Sequence, residues 1–155
     1  MYLIASECQS GKIVLLYQLL IASGVVSLTL LVQVVFIGIA IKSLTAVGGW
    51  FQYGFSFLKR IAALLSLTLW LLAGLSVAVW IWALLYLSIG VFDSLETSVY
   101  FSTVAFTTLG FGDITLEEEW RLASAIMAAN GLILFSLNTA FLIEVVRRLI
   151  PQDSD

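Results

Sequence analysis

The chain has 155 residues, 61% of them hydrophobic and only 11% charged. A soluble domain carries about a quarter charged residues, so this chain cannot coat a water-facing surface, and its net charge of -3 does not suit a nucleic-acid partner. With no histidine and one cysteine, Cys8, it has neither an intrachain disulfide nor the usual groups for acid–base or metal chemistry. A small integral membrane protein remains, not an enzyme.

A helical span needs about 20 apolar residues. The first such stretch runs from Ile13 to Ile41 without a charge. The residues before it carry Glu7 ahead of any lysine, and the run is too long for a signal peptide, so a retained first span is expected. Cys8 reads as a free extracellular thiol. Residues 43–57 hold Trp50, Phe51, Tyr53, Phe55 and Phe57 among three glycines. They form either an interfacial aromatic connector or a loose loop.

The second stretch, Ile61–Phe92, is also free of charge and has 32 residues, about 48 Å of helix. It must tilt or project beyond the bilayer. Asp93 with Glu96, and Ser94 with Thr97, are capping signals for a helix over 94–107. Its apolar part, Leu95–Phe106, is about 18 Å long, too short to cross. A re-entrant helix is predicted. Residues 108–113 follow as Thr108-Leu109-Gly110-Phe111-Gly112-Asp113. Alternate glycines at membrane depth release the backbone from helical geometry, and such backbone is tolerated only inside protein or along a watery path.

The third stretch is predicted as a helix over 120–148, apolar from Leu122 to Val146. Leu132, Phe135, Thr139 and Ile143 recur at three, four and four, on one face. Gly131 is read as a bending point or a site of close helix contact. Asn130 is expected to bond across helices, and Asn138 is left open between that and facing water. Glu144 either pairs with Arg147 or Arg148 or lines the inner mouth. Five of the seven basic residues flank the connector and the end of the third stretch. The positive-inside rule places these in the cytoplasm and the N-terminus outside, together with seven of the ten acids.

The segment Thr108–Asp113 resembles the potassium-channel signature, usually T-V-G-Y-G-D, and the short helix and flanking spans arrive in the order that family requires. Trp120, Arg121, Gly131, Phe135 and Thr139 match the inner helix of two-helix bacterial potassium channels in order. The chain is thus similar to small bacterial potassium channels with one added N-terminal span, residues 1–60, before a pore module, residues 61–155. That family is itself the reference case for selectivity by backbone carbonyls. The resemblance implies an all-α membrane protein with three transmembrane helices and a re-entrant pore helix, assembled as a homotetramer in the cell membrane among its lipids. It implies K+ at Thr108, Leu109, Gly110 and Phe111, with Gly112 completing the filter. Asp113, Glu117, Glu118 and Glu119 would form an acidic outer mouth, although the three glutamates read equally as a solvated face. Gly131, Leu132, Phe135, Thr139 and Ile143 would form the cavity and gate. No cofactor is implied beyond the permeant ions.

Four departures from the pattern predict a differently braced filter. Phe111 replaces a tyrosine, Tyr100-Phe101 a pair of tryptophans and Val104 a glutamate, and no proline follows Asp113. A weakly selective cation pore and a non-conducting regulatory or scaffold subunit are the rival readings. No arginine ladder, attached ligand domain or histidine marks a gating stimulus.

Overall fold

The computed structural model describes the backbone of residues 2–47 and 57–149, with side chains over 15–45 and 58–147. The aromatic connector over 48–56, the Cys8 side chain and the tail over 150–155 lie outside the described residues. Among the described residues four helices follow one another: α1 (Tyr2–Val47), α2 (Phe57–Ser88), α3 (Leu95–Phe106) and α4 (Arg121–Leu149). No strand occurs among the described residues. Three of the helices among the described residues are long and apolar enough to cross a membrane, over Leu15–Thr45, Leu58–Ser88 and Arg121–Arg147.

Helix α1 begins eleven residues before the apolar run that betrayed it, because hydropathy marks membrane depth and not helix length. With no proline before Pro151, nothing in the sequence stops the helix at the apolar boundary. At the other extreme, α2 stops four residues short of the apolar run ending at Phe92. Gly90 takes a left-handed φ of 73°. Its N–H donates to the Leu87 carbonyl at 3.2 Å and the Val91 N–H to the Tyr86 carbonyl at 3.0 Å. This is a Schellman ending, which satisfies carbonyls the helix would otherwise leave bare.

The chain divides into two compact units. The first comprises Met1–Thr29 and Val79–Leu132. Its centre is aromatic: Trp82 and Tyr86 of α2 are fully buried. The Tyr86 ring meets Phe101 of α3 edge-on at 5.7 Å, and Phe92 lies 5.2 Å from Phe101. Ser98, also fully buried, donates its hydroxyl to the Ala83 carbonyl at 2.5 Å. These contacts seat α3 against α2. The amide of Asn130 on α4 donates to the Thr29 hydroxyl of α1 at 2.8 Å, the expected bond across helices.

The second unit comprises Leu30–Ala78 and Ile133–Asp155. Ala40, Leu67, Leu71 and Val145 form its buried core. Gln33 of α1 donates to Asn138 of α4 at 2.7 Å, and both are buried. Gly74 of α2 leaves the space that Gln33 and Phe36 fill. Polar pairs of this kind are favoured between helices in lipid, where no water offers an alternative partner.

Candidate functional site

The site is built on the C-terminal end of α3. Ser94 caps the other end: its hydroxyl accepts from the Thr97 N–H at 3.2 Å, while its own backbone is extended. Of the two starts read from the sequence, the Ser94–Thr97 signal makes the cap. At the far end the Thr107 N–H and hydroxyl both donate to the Thr103 carbonyl, at 3.0 and 2.7 Å.

The chain then leaves the helix by alternating its handedness. Thr108, Gly110 and Gly112 have φ of 61°, 54° and 77°, and no positive φ occurs at Leu109 or Phe111 between them. Glycine adopts such angles freely. Thr108 is β-branched, so its angle stores strain of about 1–3 kcal/mol that its surroundings must hold.

The holding group is the backbone of Val104. Its carbonyl accepts from the Leu109 N–H at 3.0 Å and the Gly110 N–H at 3.4 Å, and the Ala105 carbonyl accepts from the Thr108 N–H at 3.0 Å. No cis peptide bond is present among the described residues. In a trans peptide the N–H and C=O of one unit point in opposite directions. Three successive N–H groups directed at α3 therefore turn the carbonyls of Thr107, Thr108 and Leu109 away from it. Those carbonyls then lie on the side of the loop turned away from α3. The side chains of Leu109 and Phe111 are 60% and 65% exposed. A single chain thus leaves them uncovered.

Beyond the glycines, Asp113 is held from two directions. The Tyr100 hydroxyl donates to Oδ2 at 2.6 Å, and the Ile114 N–H donates to Oδ1 at 3.0 Å. The bond from Tyr100 is the main cause that lowers the carboxyl below its ordinary pKa of 3.8, and the same bond raises the Tyr100 hydroxyl above its ordinary 10.0. Tyr100 thereby ties α3 to the glycine loop across thirteen residues, and Phe101 beside it joins the buried aromatic cluster. Sequence reasoning marked both as departures but did not foresee the bond.

Glu117, Glu118 and Glu119 are exposed. Glu118 lies 3.6 Å from Arg121, one turn on, and the Glu117 carbonyl accepts from the Trp120 N–H at 2.9 Å. On α4, Ala123, Met127, Asn130, Leu134, Asn138 and Val145 are buried. Leu132, Thr139 and Ile143 are exposed, and Phe135 is half-buried. The stripe read from the sequence thus lies mostly off the packed face. Gly131 is different: a Cβ there would overlap the Phe106 carbonyl at the foot of α3. The missing side chain lets α4 and α3 touch, and α4 runs through it without a break.

An ion-channel family model matches residues 65–148, more than half of the chain. The match covers most of α2, all of α3, the glycine loop and nearly all of α4. The chain belongs to this ion-channel family. Comparison with curated proteins and with solved structures gives no match. As an ion channel with three helices of spanning length among the described residues, the chain is a membrane protein, and α1 lies outside the matched residues. No group of three or more His, Cys, Asp or Glu among the described residues could hold a metal.

Proposed function

We propose that the chain is a potassium-selective channel that works as a homotetramer. The observation that carries this reading is the pair of bonds from the Leu109 and Gly110 N–H groups to the Val104 carbonyl, from which a common direction of the Thr108 and Leu109 carbonyls follows. Four copies around one axis would bring such carbonyls together as rings that replace the water shell of K+. The Thr108 side-chain oxygen and the carbonyls of Thr108, Leu109, Gly110 and Phe111 supply the stacked sites. Gly112 ends the alternation, and Asp113 stands at the outer mouth with Glu117, Glu118 and Glu119. Closed cyclic symmetry is the usual way to complete such a ring. The exposed Leu109 and Phe111 side chains support it, because neighbouring copies are available to cover them.

Potassium ions pass in single file, driven by their gradient. Gly131, Leu132, Phe135, Thr139 and Ile143 belong to the inner helix, whose exposed stripe lines the inner pathway, and the apolar members give a constriction that closes by dewetting. The protein sits in the cell membrane of a bacterium, N-terminus outside and C-terminus cytoplasmic, following the bias of its basic residues.

Subunit counting by crosslinking in membranes, paired with K+ flux from liposomes, tests the reading. Four subunits and a K+ flux are expected. A monomer or dimer contradicts the ring, and a tetramer without flux under any condition would place the chain among non-conducting subunits.

A further inference from the structure

Within the second unit, a cavity of about 490 Å3 lies along α1 and α2. Ligand sites span about 300–1,000 Å3. Small side chains create it: α2 contributes Ala62, Ala63 and Ser66 to the wall, and α1 contributes Ala40 and Ser43. Trp70 closes one end and is fixed there. Its Nε1 donates to the Phe36 carbonyl at 2.9 Å, and the two rings lie 4.8 Å apart. Lys59 lines the cavity eleven residues earlier on α2, about 16 Å along the helix.

The polarity of this slot is one-sided. Ser43 donates its hydroxyl to the Ile39 carbonyl and Ser66 to the Ala63 carbonyl, each at 2.9 Å. Those hydroxyls are committed to their own helices, so the wall behaves as apolar along its length. Charge enters only at the Lys59 end, where Arg60 is the next residue and Lys42 adjoins Ser43 of the wall. A long apolar slot that ends in positive charge is complementary to an acyl chain bearing an anionic head. In a membrane such a slot does not stay empty, and basic pockets between spans on the cytoplasmic side select anionic headgroups.

We propose that this groove holds one acyl chain of an anionic bilayer phospholipid, with its phosphate at Lys59. The site belongs to α1 and the start of α2, so the added first span gives the pore module a lipid-binding wall.

The test is native mass spectrometry of the full-length protein released from detergent with phosphatidylglycerol or phosphatidylcholine of equal chain length. Retention of phosphatidylglycerol about fivefold above phosphatidylcholine is expected, the effect of one basic residue near the surface. Lys59→Gln is expected to abolish that preference and leave phosphatidylcholine retention unchanged. Ala63→Phe, which fills the slot, is expected to reduce both. A second readout uses brominated acyl chains, whose quenching of tryptophan fluorescence is expected to fall in Trp70→Phe. Equal retention of the two lipids, an unaltered preference in Lys59→Gln, or quenching that ignores Trp70 would each overturn the proposal. So would a wild-type protein that retains no lipid, the result expected if residues 48–56 or a second copy fills the groove.

Discussion

Replacing Gly131 by alanine separates the two readings of that glycine by the sign of the effect. In an unhindered helix, Gly→Ala adds about 1 kcal/mol of stability, because glycine carries the larger entropy cost. At position 131 the added Cβ meets the Phe106 carbonyl, with the Phe106 carbonyl carbon at 3.0 Å and the ring Cγ at 3.3 Å. The obstacle is backbone, so no side-chain rotation relieves it. Overpacking of this kind costs about 1–3 kcal/mol, which leaves a net loss of up to about 2 kcal/mol once the helix gain is subtracted. For a chain of this size the melting midpoint falls by up to about 8 °C. Gly38→Ala is the control, because nothing lies within 4 Å of a Cβ at Gly38. It is expected to raise the midpoint. The assay is thermal unfolding in detergent, followed by tryptophan fluorescence, with K+ flux from liposomes on the same samples. Phe106 is one residue before Thr107 and two before Thr108, so Gly131→Ala is also expected to lower flux. If Gly131→Ala stabilises as much as Gly38→Ala and leaves flux unchanged, the close contact between α4 and α3 is not what holds the filter.

The Gln33–Asn138 pair predicts a non-additive cycle. Asn138→Leu strands a buried amide and costs about 1–3 kcal/mol, whereas Gln33→Leu combined with Asn138→Leu recovers most of that loss in the same thermal assay. Tyr100→Phe removes the donor to Asp113, and shorter conducting bursts are expected in single-channel records. The lowered Asp113 pKa means the bond's contribution is fully present above 3.8 and lost as pH falls through the lower folded value, while the Tyr100 proton stays in place past pH 10.0. Burst length is therefore expected to be flat between pH 5 and 9 in the wild type and to shorten only in stronger acid or base. Neutralising Glu117, Glu118 and Glu119 together to glutamine is expected to lower conductance at low salt and to have little effect near 1 M salt, where the screening length is about 3 Å. Equal conductance at low salt would refute the acidic mouth.

Much of the architecture is readable from composition and order alone. Three apolar stretches, a capped run too short to cross, and alternating glycines mark α1, α2, α3 and the loop after it. The apolar run overshoots the end of α2 because Gly90 sits inside it, and hydropathy has no term for a left-handed residue that closes a helix. In the sequence Thr108 marks a source of oxygen ligands, but its strained φ is not visible in a residue type that avoids such angles. The anchor for that strain is the Val104 carbonyl, and attention to side chains finds only an absent glutamate there. Pairings across distance were also hidden. Thr29 meets Asn130 and Gln33 meets Asn138 over more than a hundred residues. A polar residue in a span signals that a partner exists without naming it. Gly131 shows the same limit, because a bend and a contact leave the same letter.

The account rests on a filter that binds dehydrated K+ through its backbone. Its most direct test is the reversal potential of purified channels in a planar bilayer, with K+ on one side and an equal concentration of Na+ on the other. A potential displaced far toward the K+ equilibrium value, and a loss of that displacement in Gly110→Ala, where the left-handed φ of 54° is denied its glycine, is the predicted result. A reversal potential near zero in the wild type would contradict it, leaving a pore that does not tell the two ions apart.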